Sequence, residues 1–390
     1  MLTLFQFSKI IYLLLIVTFF ERFSHFLIIP FLSIYLIQEF SYSSLEIGII
    51  LSSSGCTALI ISFILAPMLS TVNKKKIILC SIFTAFISFV IFPYIHSYYG
   101  FLFFTIINTI ASSLLSPTYK TLLTLYSETS RKRLVFNIRY YLINIAAALG
   151  PFISIQIQEV SSLKNVCIFI SFIYFINFIF FLFSSIEEKR SENPKLNYLT
   201  SFGIIKRNKA YVLLLLGSIF FVFGYSQILS SIPQFFAIKS HSKATSIYGY
   251  LLSINGVIAL TCQYFIYLLN KRYSHKSCII LGAITLTLGL FTFGLTENIV
   301  LLAFAMIVFT MGEMLVFTTI DIRIDEITDK YNKGAYYSLL GLQNIGSLLA
   351  PVIGGLIITQ FKSGMLIFSI LSLITSFSIA LFYKSNKIKI

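Results

Sequence analysis

Twelve apolar runs follow one another along the 390-residue chain, separated by charged or turn-rich breaks, and this pattern leaves few folds open. Lipid offers a bare backbone no hydrogen bonds, so a chain crosses it as helices or as a closed barrel. A helix needs about 20 apolar residues to cross a hydrocarbon core of roughly 30 Å. The runs fall near residues 10–38, 45–69, 77–95, 99–125, 138–158, 165–186, 210–238, 244–269, 277–295, 299–324, 335–359 and 364–383. Barrel strands alternate in character over about 10 residues, whereas Ile168 to Phe183 is apolar without alternation. The sequence therefore predicts an all-α membrane protein with 12 transmembrane helices. Charged residues make up 11% and hydrophobic ones 57%; soluble domains carry roughly 25% charge, so a soluble globular enzyme is excluded. The first run has charge at its centre and no small-residue cleavage site, and is read as a retained helix rather than a signal peptide.

Lys and Arg accumulate on the cytoplasmic side of membrane proteins. With the N-terminus inside, 21 of the 29 basic residues fall on the cytoplasmic side, four in outer loops and four within the membrane. Both termini are thus expected in the cytoplasm, in a cell inner membrane. The net charge of +15 is a topology signal and not the mark of a nucleic-acid partner. Residues 187–209 are the most charged stretch and contain Pro194, so the expected organisation is 1–186, a linker over 187–209, and 210–390. Five scattered cysteines and four histidines offer no disulfide framework and no metal site. No GxxxxGK[ST] loop is present, which leaves an ion gradient as the energy source, or passive facilitation, and no cofactor.

The two halves overlay at a shift of about 200 positions, the geometry of parallel six-helix repeats. Asn144 and Gly150-Pro151 match Asn344 and Ala350-Pro351, with seven residues from Asn to Pro in each. Gly48 and Gly55 match Gly249 and Gly256, Pro30 matches Pro233, and Lys75 matches Lys276. With these features the chain resembles the major facilitator superfamily. That family's signature between helices 2 and 3, GxLADRxGRR, corresponds here to Ala66 through Lys75, with Ser70 and Thr71 at the Asp and Arg positions; Arg272 holds the Arg position of the second half. The resemblance implies two six-helix bundles alternating about a central cavity lined by helices 1, 4, 7 and 10, in a functional monomer that carries small molecules.

Charge within a bilayer costs about 2.5–3.5 kcal/mol on insertion scales, so such residues are functional candidates by default. They are Glu21 and Arg22 in helix 1, Lys120 in helix 4, Arg139 near the start of helix 5, and Glu313, Asp321 and Arg323 in helix 10. Glu21 lies about twelve residues, roughly 18 Å, from the inner end, with His25 one turn further on the same face. Arg22 is turned about 100° from Glu21, so the two need not pair. Glu21 and Glu313 are the candidate proton carriers. Arg22, His25, Tyr119, Lys120, Tyr225, Gln227 and Gln234 are candidates for a substrate cavity. There Lys120 and Arg22 either attract an anionic group or neutralise the two glutamates. Arg139, Asp321 and Arg323 are candidates for a gate. Neither a catalytic nor a metal-binding constellation is visible, so the chain is not expected to be an enzyme.

Two subfamilies share local motifs with it. Drug:proton antiporters carry GxxxGPxxGG in helix 5, of which Gly150-Pro151 stands here, while helix 11 has Gly346, Ala350-Pro351 and Gly354-Gly355. Gly312-Glu313-Met314-Leu315, Tyr225-Ser226-Gln227 with Pro233, and Lys333-Gly334 are also similar to bacterial exporters. Proton-coupled oligopeptide transporters carry ExxERF in helix 1 and FYxxINxG in helix 5. This chain has Glu21-Arg22-Phe23 after Thr18, and Tyr140, Ile143 and Asn144 beside Arg139 and Ala146. The expected function is proton-coupled export of small amphipathic organic molecules, with proton-coupled uptake of peptides or amino-acid derivatives as the alternative.

Overall fold

The computed structural model describes residues 7–128, 130–184, 186, 208–240, 243–328, 336 and 339–388, of which 63–71 are described in backbone only. Residues 187–207 of the expected linker, and Lys333-Gly334, lie outside the described residues, as do the side chains of Ala66 to Thr71. Among the described residues, 12 helices are long and apolar enough to cross a membrane. Helices 1 to 6 are Lys9–Phe40, Ser44–Ser62, Lys74–Tyr94, Tyr98–Tyr126, Lys132–Val160 and Leu163–Leu182. Helices 7 to 12 are Lys209–Lys239, Ala244–Thr261, His275–Thr292, Ile299–Ile327, Gly341–Gln360 and Gly364–Lys387. The expected spans are recovered with shifts of a few residues at most ends, and helix 8 resumes after a break at Cys262 as a ten-residue helix, Gln263–Arg272.

Many of the starts have a local cause. The first amides of a helix lack intrahelical acceptors, and a short polar side chain just before the helix supplies one. Asn73, Ser97, Asn208, Ser274 and Asn298 do so for helices 3, 4, 7, 9 and 10. Large apolar side chains such as Phe103, Phe172, Phe304 and Leu373 are more than half exposed on helix surfaces. In water they would form an adhesive surface; in a bilayer they are the solvated face.

Packing divides the described chain into two compact units, one within Met1–Leu32 and Cys56–Pro194, the other within Ser33–Gly55 and Lys195–Ile390. In the first, helix 3 packs on helices 4 and 6; in the second, helix 9 packs on helices 10 and 12. The repeat extends to single residues. Lys75 at the start of helix 3 donates to the Leu182 and Ser184 carbonyls at the end of helix 6, at 3.0 and 2.6 Å. Lys276 at the start of helix 9 donates at 2.9 Å to the Asn386 carbonyl at the end of helix 12. Each lysine thus satisfies carbonyls left bare at a helix C-terminus and places positive charge at its negative end.

Close helix approaches follow the same repeat. A Cβ on Gly150 would stand 2.7 Å from Phe26 Cβ, and one on Gly346 would stand 2.2 Å from the Ile219 carbonyl oxygen. Helix 5 therefore lies against helix 1, and helix 11 against helix 7, with Ser154 adding a 2.6 Å bond to the Leu27 carbonyl. Within the second unit, Gly48 and Gly55 of helix 2 lie on Pro351 and Leu348 of helix 11. Helix 7 is interrupted between Ser226 and Ser231. Pro233 cannot donate to the Leu229 carbonyl, and the Ile232 amide reaches back to the Gln227 carbonyl instead, at 3.0 Å.

Candidate functional site

Helix 1 brings Glu21, Arg22 and His25 into the interior of the first unit. Contrary to the angular argument from sequence, the Arg22 Nε lies 3.1 Å from Glu21 Oε2, with Glu21 only 3% exposed and Arg22 27%. Neighbouring Cα atoms on a helix point apart, but a guanidinium on a three-carbon stem is long enough to fold back on the preceding residue. Thr18, where the peptide-transporter motif has its first Glu, donates its hydroxyl to the Leu14 carbonyl at 2.7 Å.

Helices 4, 5 and 6 complete this cluster. Tyr119 is fully buried and stacks on Phe181 at 5.8 Å, whereas the next residue, Lys120, is exposed. Arg139 is buried, its Nη2 lies 3.5 Å from the Ser116 hydroxyl, and its Nε has no acceptor. Arg22 and Arg139 both act electrostatically on Glu21, and both act on Lys120. Tyr119 and Tyr174 also lie within the reach of Glu21, and His25 within that of Arg22. Tyr174 and Ser116 were not among the sequence candidates. An aromatic or a hydroxyl in an apolar helix gives no signal until its facing helix is known.

Glu313 occupies a different setting in the second unit. Asn255 Nδ2 on helix 8 donates to Glu313 Oε2 at 3.0 Å and to Thr310 Oγ1 at 2.9 Å. The Tyr225 hydroxyl of helix 7 hydrogen-bonds the same carboxyl. The Tyr225 ring stacks on Phe309 and meets Phe317 edge-on, with centroids 6.5 and 5.1 Å away. No lysine, arginine or histidine among the described residues forms an ion pair with Glu313. Asn255 was absent from the sequence candidates, although an amide in mid-helix is costly in lipid unless bonded to a neighbour, which is the signal that would have flagged it. Gly312 beside Glu313 has a packing role: its Cβ would stand 2.4 Å from the Leu286 amide nitrogen of helix 9.

The remaining candidates separate. Gln227 is fully buried and bonded within the break of helix 7, to the Phe223 and Ala350 carbonyls at 3.3 and 3.5 Å and to the Ser231 and Ser230 hydroxyls at 2.5 and 3.2 Å. Gln234 is also fully buried, and neither of its amide atoms has a hydrogen-bond partner among the described residues. Buried Arg323 pairs with Glu326, which also accepts from His275 Nδ1 at 2.6 Å. Asp321, two residues before Arg323, is on the exposed side of helix 10. Among the described residues no three His, Cys, Asp or Glu side chains converge as metal ligands.

The first unit therefore holds cations in excess of acid, and the second a carboxyl among neutral donors. Both arrangements suit the handling of ions or polar solutes inside a membrane. Residues 14–343 match the family model described as Major Facilitator Superfamily. The chain is 27% identical over 370 residues to the uncharacterized MFS-type transporter YqjV of Bacillus subtilis (strain 168), covering 93% of this chain and 90% of the relative. It is 20% identical over 367 residues to a Na(+), Li(+), K(+)/H(+) antiporter of Planococcus maritimus, covering 86% of each. The crystal structure of the nucleoside transporter NupG superposes with a TM-score of 0.81 at 14% identity, over 98% of this chain and 100% of that one. The chain belongs to the Major Facilitator Superfamily, and is a membrane transporter and not an enzyme.

Proposed function

We propose that the chain exports small amphipathic organic molecules in exchange for protons, with Glu313 carrying the proton. The observation that carries this reading is the environment of Glu313: a half-buried carboxyl held by Asn255 and Tyr225 with no paired cation among the described residues. A buried ionised carboxylate without a counter-ion is expensive, and taking up a proton removes the charge without moving the chain. Glu21, held by Arg22, becomes the secondary candidate. Support for exchange comes from the exporter-like motifs of helices 5, 7, 10 and 11 and from the antiporter relative. In this scheme residues 1–186 and 210–390 form the two six-helix bundles, and 187–209 the linker joining them. The protein sits as a monomer in the inner membrane with both termini cytoplasmic, and draws on the proton gradient alone.

Everted membrane vesicles with an acid lumen test the reading, using a lumenal pH dye and a panel of amphipathic drugs, dipeptides and metallophores. A transported drug is expected to release lumenal protons in the wild type. Glu313→Gln should abolish that release while retaining exchange of labelled drug for unlabelled drug. Release that survives Glu313→Gln removes Glu313 from the scheme. Proton entry driven by a dipeptide in right-side-out vesicles would replace export by uptake of peptides or amino-acid derivatives, the function that Glu21-Arg22-Phe23 resembles.

A further inference from the structure

In the first unit Arg22 and Arg139 act electrostatically on both Glu21 and Lys120. Among the described residues, Glu21 is the only acidic side chain away from the ends of helices 1, 4 and 5, and Arg22 lies 3.1 Å from it. Arg139 is 8% exposed. Among the described residues its one hydrogen-bond contact is the long 3.5 Å one to Ser116, and its Nε is buried without an acceptor. Lys120 is exposed and lies within the field of both arginines. Like charges held this close repel, more strongly where water is scarce. A buried donor left without an acceptor is costly. Here one remains open, on the side chain best shaped to hold a planar anion.

We propose that Arg139, together with Lys120 and Arg22, binds an anionic group of the transported molecule, a carboxylate, sulfonate or phosphate. Arg139 is then a ligand anchor and not a gate. The inference rests on the transporter reading and names the chemical class of its substrate. The guanidinium offers two parallel N–H donors to such a group, and Lys120 supplies a compact charge at the exposed edge. Tyr119 and Tyr174, buried within electrostatic reach of Glu21, add apolar ring surface to the surroundings of the charge, which suits an amphipathic anion better than a hydrated inorganic one. Glu21 acts as the resident competitor: it holds part of Arg22 when no ligand is bound, and it repels an arriving anion.

The test is calorimetric titration of the purified full-length protein in uncharged detergent. The probes are benzenesulfonate, benzenesulfonamide and benzyltrimethylammonium, which are similar in size and differ in charge. A charged hydrogen bond predicts that benzenesulfonate binds about tenfold or more tightly than the sulfonamide, with affinity falling as salt is added. Arg139→Gln and Lys120→Gln should each shrink that preference, and Glu21→Gln should enlarge it. Lys120 is exposed, so its variant reports even if Arg139→Gln fails to fold. Equal affinity for the two probes overturns the proposal. So does tighter binding of the ammonium, absence of binding by all three, or a preference that survives both Arg139→Gln and Lys120→Gln. Gly341→Ala, whose Cβ would meet nothing within 4 Å and which has no part in either site, should bind benzenesulfonate as the wild type does. Failure of the proton scheme with intact anion preference leaves this site standing, and the reverse result removes the site alone.

Discussion

Removing Glu326 should destabilise the protein more than removing the arginine it holds. Arg323 is 3% exposed and Glu326 39%, and Glu326 also contacts His275, itself 30% exposed. Deleting one partner of a fully buried pair costs about 3–5 kcal/mol, because the other charge is left buried and unpaired. Glu326 is more than a third exposed, so solvent already screens part of the interaction and about 2 kcal/mol is the discounted figure for Glu326→Ala. Arg323→Met leaves only a half-exposed carboxylate that water can solvate and His275 still contacts, so its loss should stay below about 1 kcal/mol. Arg323→Met with Glu326→Leu removes both charges together and should return close to wild-type stability.

A thiol-reactive fluorogenic dye measures this well, since Cys167 and Cys278 are buried and free and become reactive on unfolding. Cys278 lies three residues from His275 and reports on the same end of helix 9. At one heating rate in detergent, the expected order of apparent midpoints is wild type and double variant highest, Arg323→Met next and Glu326→Ala lowest. Two single variants of equal midpoint, or a double variant no better than Glu326→Ala, would refute the burial asymmetry on which the estimate stands.

Gly312→Ala should cost about 1–3 kcal/mol through overpacking against Leu286, whereas Gly341→Ala, whose Cβ would meet nothing within 4 Å, should be silent in the same assay. Lys75→Ala and Lys276→Ala should each lose about 0.3–1 kcal/mol, and because they fasten separate units the double variant should lose the sum, which thermal midpoints can check. Tyr225→Phe keeps the ring stack on Phe309 but removes a hydroxyl from Glu313. Losing a charged hydrogen bond of about 1.5–3 kcal/mol should reduce drug-driven proton release roughly tenfold or more at unchanged expression, and an unaltered rate would count against Tyr225 as a partner of the proton carrier.

The twelve spans were legible in the chain because a charge-free run of this length in lipid has one structural solution. The repeat was legible for a similar reason: Lys75 and Lys276 perform one task at one offset, so the spacing survives in the letters. Charged candidates also stood out, since Glu21, Lys120, Arg139 and Glu313 interrupt otherwise apolar runs. What could not be read was who meets whom. Asn255 and Tyr174 gain meaning only from the helices they face, and Glu326 sits near a helix end, where charge is ordinary. The pairing of Glu21 with Arg22 was hidden by an argument from Cα directions that ignored side-chain length. The break in helix 7 lies several residues before Pro233, and it uses the Gln227 side-chain amide that sequence had assigned to the cavity. The grouping of residues 33–55 with the second unit has no trace in chain order, because it depends on what helix 2 touches.

That interruption of helix 7 makes it two stiff rods, Lys209–Ser226 and Ser231–Lys239, joined by a short articulation. Along either rod, tilting must tear ladder bonds between backbone groups that have no substitute in lipid. At the articulation single turn bonds, such as the Leu229 amide to the Ser226 carbonyl at 3.2 Å, replace the regular ladder, and the movable arms of Gln227, Ser230 and Ser231 swivel among several carbonyls and hydroxyls beside them. Each such exchange costs about 1 kcal/mol or less while a replacement acceptor stays in range. The shorter rod can therefore swing on the longer one at a small fraction of the energy that unwinding would demand.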